Sequence, residues 1–178
     1  VVALDRDKAE LNRFAKRTKN HCMLDRGQLL ELEPYLGDRF ERALHMTHEA
    51  HIDPRQALEA LYLKIKDVGL EIQTEGMPQG RVVDCRGLYA SDTLTDLRGV
   101  KGEMITLKTA DIRFSRPVRL LHPRFPLYIV PRTEGVFMLG ATQIESSDRH
   151  RVSVRSVMEL LNAAYALHPA FAEAEIVE

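Results

Sequence analysis

Residues 48–53, His-Glu-Ala-His-Ile-Asp, bring together side-chain types that bind transition metals. A zinc-protease helix carries two histidines four residues apart with a glutamate between them, whereas His48 and His51 are only three apart. The segment follows a predicted strand, so the two imidazoles are expected on opposite faces. Asp53 precedes Pro54 and is accounted for as a helix cap. The sequence therefore favours a structural role and predicts no metal site.

A second candidate for chemistry is the segment Val-Val-Asp-Cys-Arg-Gly-Leu-Tyr-Ala at residues 82–90. An apolar strand that runs into a turn with Gly87 lets the sugar or phosphate of a cofactor approach the backbone. A plain strand end explains the same pattern, since glycine is common at such junctions. Cys85 has no histidine near it in sequence, so a packed thiol is favoured over a nucleophile.

The most informative pattern is a predicted hairpin. Two apolar runs, at residues 127–130 and 136–139, flank a short turn that contains glycine, which predicts two antiparallel strands. The second run ends in Gly-Ala-Thr at residues 140–142, and such small residues let a bulky ligand lie close to the backbone. Tyr128 lies in the first run, where most tyrosines are core aromatics. Gln143 follows the second run.

Several arginines lie around this hairpin. An arginine is the expected clamp for a substrate carboxylate, because its guanidinium binds both oxygens at once. Arg116, Arg119 and Arg124 precede the hairpin, and the sequence does not rank them. Arg132 lies in the turn, where a structural role is favoured.

The elements that must position these residues predict an α+β fold: a mostly antiparallel sheet with helices packed on one side. Helices are expected where a capping residue precedes apolar positions at helical spacing, namely after Asp5 or Asp7, Asp25, Asp53 and Ser153. Strands are expected at residues 1–4, 43–47, 70–74, 81–85, 102–108, 127–130, 136–139 and 174–177. Both ends of the chain lie in predicted strands, so we expect a piece of a larger protein.

Composition excludes some classes of function. The 178 residues are 44% apolar and 29% charged with a net charge of −1, as in a soluble globular domain without a footprint for nucleic acid or membrane. The apolar runs are too short to span a membrane, and no signal peptide is recognisable. Two cysteines form no disulfide framework, which indicates a reduced, cytoplasmic setting.

Taken together, the ordered segments resemble the FAD-dependent D-amino-acid oxidase superfamily, and within it the glycine oxidase branch. The segments that carry the resemblance are Glu33-Pro34, residues 52–55, residues 84–89, Lys101-Gly102-Glu103, the hairpin with its Gly-Ala-Thr ending, the helix at residues 155–165 and Pro169-Ala170-Phe171. Several such motifs in one order are more specific than any single one.

The resemblance implies FAD as cofactor and a small amino acid or amine, with glycine favoured, as substrate. It implies that Tyr128 lies over the substrate and that Gln143 lines the same pocket at a position where methionine is common. At the flavin, it implies a small-residue turn formed by Cys85, Arg86 and Gly87, followed by the aromatic Tyr89. Cys85 and Arg86 are larger than the usual alanine or serine. No side-chain base is implied, since the flavin carries the reaction.

The resemblance also implies a domain division: residues 1–52 and 98–172 in the substrate domain, residues 53–97 in the FAD-binding domain, and residues 173–178 as a strand returning to it. No G-x-G-x-x-G loop is present, so this chain cannot build the main pyrophosphate site. The family's C-terminal segment with its carboxylate-binding arginine is absent too, and residues 75–80 form a shorter connection than usual. We therefore expect the chain alone to be inactive.

Two alternatives remain open at this point. One is an oxidase or dehydrogenase of the D-amino-acid or sarcosine type, with electrons passed to a quinone in the dehydrogenase case. The other is a binding or assembly module without a cofactor on the same scaffold, since a fold does not fix a function. The resemblance further implies a role in making the thiazole part of thiamine, and homo-oligomerisation.

Overall fold

The computed structural model describes residues 1–122 and 126–178. Within these ranges it contains five α-helices: α1 (Lys8–Arg17), α2 (Arg26–Leu32), α3 (Pro34–Gly37), α4 (Pro54–Asp67) and α5 (Val154–Leu167). The strands are β1 (Val2–Ala3), β2 (His21–Asp25), β3 (Arg42–Met46), β4 (Val100–Lys101), β5 (Ile105–Lys108), β6 (Val118–Leu121), β7 (Leu127–Pro131), β8 (Val136–Gly140), β9 (Ile144–Glu145) and β10 (Glu175–Ile176). None of these helices is both long and apolar enough to cross a membrane.

The main sheet has six strands in the order β1-β6-β7-β8-β5-β10. The β1–β6 pair is parallel, and the other neighbours are antiparallel. The predicted hairpin is confirmed as β7 and β8, with Tyr128 opposite Gly140 and Ile129 opposite Leu139. Two further ribbons, β2–β3 and β4–β9, complete the strand pairing. The predicted α+β fold with a mostly antiparallel sheet is confirmed.

One face of the sheet is closed by α5. Leu127 and Ile129 of β7 are fully buried, and so is Leu139 of β8, because alternate residues of a strand face the same side. They pack in one cluster with Leu160 and Leu167 of α5. Ser153 caps this helix by accepting a hydrogen bond from the backbone of Ser156 at 3.2 Å. The packing of α5 therefore fixes the sheet at the strand ends that carry Tyr128.

The predicted starts of the other helices have mixed outcomes. Asp25 caps α2 in a reciprocal arrangement with Gln28, and Asp53 caps α4 by accepting from two backbone amides, as predicted. The prediction that Asp5 or Asp7 caps the first helix is confirmed in position only, since Asp7 is the residue at the N-cap of α1. A short 3₁₀ turn at Asp5–Asp7 comes first, and the Asp7 side chain makes no capping bond to α1.

The prediction of strands at residues 70–74 and 81–85 is wrong. Neither segment forms a strand, and apolar side chains such as Ile72 and Val83 are exposed. Their β-prone composition needs neighbouring strands to satisfy the backbone, and within residues 1–122 and 126–178 no such neighbour pairs with them. Strand β2, in contrast, was not predicted, because its sequence HCMLD shows little alternation and its pairing with β3 is long-range.

Candidate active site

Tyr128 and Gln143 line one cavity of about 820 Å³. Tyr128 lies near the start of β7, and Gln143 lies just beyond the end of β8, the neighbouring antiparallel strand. The register pairs Tyr128 with Gly140, so the chain reaches Gln143 three residues later at the same end of the sheet. The cavity walls also include α5 residues, among them Glu159 and Leu160. The cavity thus brings together a phenol and a carboxamide, both of which can donate and accept hydrogen bonds.

The phenol ring of Tyr128 lies over Gly140. A Cβ atom on Gly140 would be 3.1 Å from Tyr128 Oη and 3.2 Å from its Cε2, closer than ordinary packing allows. The space left by this glycine is therefore filled by Tyr128, whereas the sequence analysis expected the small residues to make room for a ligand. The Tyr128 side chain is 38% exposed, so it is not the core aromatic that the simplest interpretation of the sequence favours.

A buried carboxylate, Glu103, holds two walls of this cavity together. Its backbone exchanges hydrogen bonds with Thr142, at 3.0 Å to the hydroxyl and 3.1 Å from the amide, which fixes the turn before Gln143. Its side chain accepts from the amide and hydroxyl of Ser153 at the start of α5, at 3.2 and 3.1 Å. Lys101 Nζ lies 2.7 Å from Glu103 Oε1. Glu103 therefore ties the end of β8 to the helix that forms the opposite wall.

The same partners control the charge of Glu103. Hydrogen bonds from Lys101 and, to a lesser extent, from Ser156 lower the pKa of this carboxyl from 4.5 to about 2. The sequence analysis used Lys101-Gly102-Glu103 only as a family marker and did not predict this role. No local signal could have revealed it, because Ser153 and Thr142 are distant in sequence.

The structure separates the candidate arginines. Arg116 is committed to the buried carboxylate of Glu33, with Nε 3.0 Å from Oε1, and the amide of Ser115 donates to the same oxygen. Arg119 lines the cavity beside Tyr128. Arg124 lies outside the described residues.

Arg132, in the hairpin turn, faces the start of α4. Its Nε lies 3.5 Å from Asp53 Oδ2, and its Nη1 lies 3.4 Å from His51 Nδ1. Within residues 1–122 and 126–178, no three side chains of histidine, cysteine, aspartate or glutamate come together as a metal site. The residues around His51 thus link the hairpin to α4.

Two of the four residues predicted at the cofactor, Cys85 and Arg86, directly precede the 3₁₀ helix Gly87–Asp92, and the other two, Gly87 and Tyr89, lie within it. Arg86 bridges Asp84 and Asp92, at 2.8 and 3.0 Å, and these carboxylates raise the pKa of its guanidinium. Because both sides of the Arg86 fork are occupied, it has little capacity left for a phosphate. Cys85 is exposed, so the expectation of a packed thiol is wrong.

Gly87 and Tyr89 lie in the first turn of the 3₁₀ helix. Gly87 has a φ of +58°, and a Cβ there would have no neighbour within 4 Å, so its backbone is open to a ligand. Arg149 stacks on the ring of Tyr89 at 4.2 Å and donates a hydrogen bond to its hydroxyl. The backbone at Gly87 is therefore open to a ligand, whereas the ring of Tyr89 is covered by Arg149.

The comparisons with known proteins identify the family. All residues from 1 to 178 match the family model described as FAD dependent oxidoreductase, DAO. The chain belongs to this family. A relative from Rhizobium etli, named as the thiamine biosynthesis oxidoreductase ThiO, is 50% identical over 183 aligned residues, which cover 100% of this chain and 56% of the relative.

Solved structures share the fold. Glycine oxidase from Bacillus cereus superposes with a TM-score of 0.73 at 20% identity, over 98% of this chain and 54% of that one. Iminodiacetate oxidase from Chelativorans sp. superposes with a TM-score of 0.75 at 20% identity, over 99% and 57%. The chain thus spans about half the length of the proteins it matches. The predicted family is confirmed, and so is FAD as the family's cofactor.

Proposed function

We propose that this chain forms most of the substrate-binding part of a FAD-dependent oxidoreductase that oxidises a small amino acid or amine, with glycine favoured. The proposal is carried by one observation: Tyr128 and Gln143 line the same cavity in a chain of this family. The fold of glycine oxidase and the 50% identity to ThiO support it. The substrate loses two electrons and two protons to become an imine, which water hydrolyses.

In this proposal the side chains of the cavity bind and orient the substrate. When bound, FAD would supply the redox chemistry, in which a hydride leaves the substrate α-carbon and the two electrons pass to O₂ to give hydrogen peroxide. Tyr128, held over Gly140, presents its hydroxyl to the cavity as a hydrogen-bonding group. Gln143 adds a neutral donor and acceptor, so it can orient a polar substrate without adding a charge.

The cofactor side is proposed for Cys85, Arg86, Gly87 and Tyr89, as the resemblance implies. The open backbone at Gly87 is the observation that supports contact with the flavin. Because the sequence has no glycine-rich phosphate loop, we propose that the 178 residues alone are inactive. Peroxide production from glycine by this polypeptide alone would contradict that part of the proposal.

The test uses the full-length protein reconstituted with FAD. Anaerobic addition of glycine is expected to bleach the flavin absorption, and air is expected to restore it with one peroxide per glycine. Tyr128→Phe removes only the hydroxyl and is expected to lower kcat/KM by about tenfold, the effect of one lost hydrogen bond to substrate. The control is Tyr165→Phe, which removes an exposed hydroxyl on α5 and is expected to leave kcat/KM unchanged. A colourless protein that ignores added FAD would favour the cofactor-free binding module instead.

An oxidoreductase for N-substituted or larger amino acids is the second candidate. Iminodiacetate oxidase, which is named for an N-substituted amino acid, shares the fold. Activity that continues without oxygen when a quinone is supplied would identify the dehydrogenase form. Comparing glycine, sarcosine and D-alanine as substrates distinguishes this candidate from the first.

The biological setting is proposed on the same basis. The identity to ThiO supports a role in thiamine biosynthesis, which predicts that the full-length gene restores growth to a thiamine-requiring strain that lacks its own glycine-oxidising enzyme. A cytoplasmic location, homo-oligomerisation and the domain boundaries near residues 52, 97 and 172 also remain proposals. Size-exclusion chromatography of the full-length protein tests the oligomer.

A further inference from the structure

Residues 84–92, which include all four residues proposed at the cofactor and are called the cofactor segment below, make polar contact with the rest of the chain through Arg149. Its guanidinium carbon lies 4.2 Å from the centre of the Tyr89 ring, and its Nη1 donates a hydrogen bond to the Tyr89 hydroxyl. In the part of the chain that the structure describes, no other hydrogen bond or ion pair joins residues 71–97 to residues outside them. The neighbouring Ala90 is buried, so the segment touches the rest of the protein at this point.

The cofactor segment is held together internally by its own charges. The Arg86 guanidinium donates to both carboxylate oxygens of Asp84 and to both of Asp92, at distances of 2.8 to 3.1 Å. The amide of Arg86 also donates to Asp84 Oδ1 at 3.0 Å. Because these bonds connect one end of the segment to the other, a restraint on Tyr89 restrains the other residues proposed at the cofactor as well.

Arg149 belongs to the β9–α5 loop, residues 146–152, which is fixed to the wall of the substrate cavity. The serine that caps α5 follows this loop directly and donates to Glu103 at 3.2 and 3.1 Å. Within the loop, the carbonyl of Arg151 accepts a hydrogen bond from Lys101 Nζ at 3.2 Å, and the same ammonium lies 2.7 Å from Glu103 Oε1. The loop therefore holds Arg149 in a defined place relative to the substrate cavity.

We propose that Arg149 is a positioning residue that sets the place of the cofactor segment relative to the substrate cavity. This inference rests on the proposed function, which assigns the segment to FAD and the cavity to the amine. Hydride transfer depends steeply on the distance and alignment of the reacting atoms, so a contact that joins the two sides influences its rate. Arg149 does not line the substrate cavity, so the affinity for the amine is expected to be independent of it.

The experiment uses the full-length protein and three measurements. Amide hydrogen exchange of the FAD-free protein reports how firmly the cofactor segment is held. Quenching of flavin fluorescence gives the Kd for FAD. Anaerobic stopped-flow reduction by glycine at saturating FAD gives the limiting rate of flavin reduction and, separately, the Kd for glycine.

The variants separate the contact from the charge. Arg149→Gln removes the cation over the ring, Arg149→Lys keeps a cation that can occupy the same place, and Tyr89→Phe keeps the ring without its hydroxyl. Arg151→Gln is the matched control, because it removes an equal charge from the same loop. Among the described residues, the bond that holds Arg151 is made by its backbone carbonyl, which the substitution retains.

In Arg149→Gln the amides of the cofactor segment are expected to exchange about fivefold faster, and the Kd for FAD is expected to rise about fivefold, the effect of one exposed cation–π contact with its hydrogen bond. The limiting rate of reduction is expected to fall about tenfold with the Kd for glycine unchanged. Arg149→Lys is expected to recover part of each loss, and Arg151→Gln is expected to match the wild type. Arg149→Gln combined with Tyr89→Phe is expected to lose less than the sum of the two single variants.

An unchanged limiting rate in a folded, FAD-loaded Arg149→Gln protein overturns the inference, even if hydrogen exchange is faster, since Arg149 then holds the segment without affecting the reaction. An equal loss in Arg151→Gln also overturns it, because the charge of the loop would then be responsible. If the wild type fails to bind FAD or is reduced by no amine, the proposed function fails, and the exchange data still report whether Arg149 holds the segment. If the wild type is reduced by glycine and Arg149→Gln matches it, only the inference fails.

Discussion

The β-sheet with α5 and the segment from α4 to residue 97 differ in how far their apolar side chains are buried. In the sheet, alternate residues of β7 and β8 are fully buried against an amphipathic helix. In α4, the apolar residues Leu58, Leu61 and Leu63 are all exposed, and the helix has no buried residue. The first region buries its apolar side chains within this chain, whereas the apolar side chains of α4 are left exposed in it.

The residues proposed for the substrate and those proposed for the cofactor lie in different regions of the chain. The substrate-side residues Tyr128 and Gln143 rest on the packed region, which fixes their positions through Glu103 and Gly140. The residues proposed at the cofactor, Arg86 and Gly87 among them, lie in the exposed region, where Arg86 is held by hydrogen bonds to Asp84 and Asp92. The packed region can therefore hold the Tyr128 and Gln143 side chains in place within this chain, whereas the residues proposed at the cofactor lie on exposed backbone.

The largest expected effect compares two leucines. Leu139→Ala in β8 empties a fully buried site and is expected to lower the free energy of unfolding by about 3 kcal/mol. Leu61→Ala in α4 changes a side chain that is 56% exposed and is expected to cost less than about 0.5 kcal/mol in the 178-residue chain. Urea denaturation followed by circular dichroism measures both. If both variants lowered the free energy of unfolding by a similar amount in this chain, the sheet and α4 would not differ in packing as described.

A second effect concerns the carboxylate that joins the cavity walls. Glu103→Gln removes the charge opposite Lys101 and disturbs the bonds from Ser153, so the free energy of unfolding is expected to fall by about 1–3 kcal/mol at pH 7. Glu41→Gln is the control, because its ion pair with Lys8 is exposed, and the expected cost is below about 0.5 kcal/mol. Equal losses in the free energy of unfolding for the two variants would show that Glu103 does not join the two cavity walls.

The pH dependence of stability sharpens the same comparison. The pKa of Glu103 is about 2 in the folded chain and 4.5 as an ordinary glutamate, so the folded state binds its proton less readily than the unfolded state. Its contribution is fully present above pH 4.5 and is lost as the pH falls toward 2. The difference in the free energy of unfolding between wild type and Glu103→Gln is therefore expected to shrink as the pH falls from 4.5 toward 2. A constant difference between the two proteins from pH 5 to pH 3 would contradict this assignment.

Local signals predicted the helix starts and the hairpin. The caps at Asp25, Asp53 and Ser153 satisfy amides within three residues, so the sequence contains all the information. The strands predicted at residues 70–74 and 81–85 failed for the opposite reason. A strand is defined by a partner that may be far along the chain, and β-prone composition does not supply one.

The candidate site shows the same division. Sequence and resemblance proposed Tyr128 and Gln143, and the hairpin register brings them to one cavity. The pairing of Arg116, one of the arginines that the sequence could not rank, depends on Glu33, which lies 83 residues earlier in the chain. The role of Glu103 depended on Ser153, 50 residues later. Pairings at such separations arise from the fold, so residue types and spacing could not rank them.

The smallest effect tests how the packed region shapes its pocket. In Gly140→Ala the new Cβ would lie 3.0 Å from Met104 Cγ and 3.1 Å from Tyr128 Oη, so the phenol must move. We expect a loss of about 1 kcal/mol in the free energy of unfolding, as in mild overpacking. In the full-length protein, the displaced hydroxyl is expected to raise the KM for substrate.

The control for Gly140→Ala is Gly27→Ala in α2, where the added Cβ meets only Asp25 Oδ1 at 3.4 Å. Alanine is the better helix former, so this variant is expected to gain about 0.5 kcal/mol. The two glycine replacements thus have opposite signs, because one glycine makes room for Tyr128 and the other does not. A neutral Gly140→Ala with unchanged KM would mean that the position of the phenol is not set by this contact, and the packed region would then support the pocket through Glu103 alone.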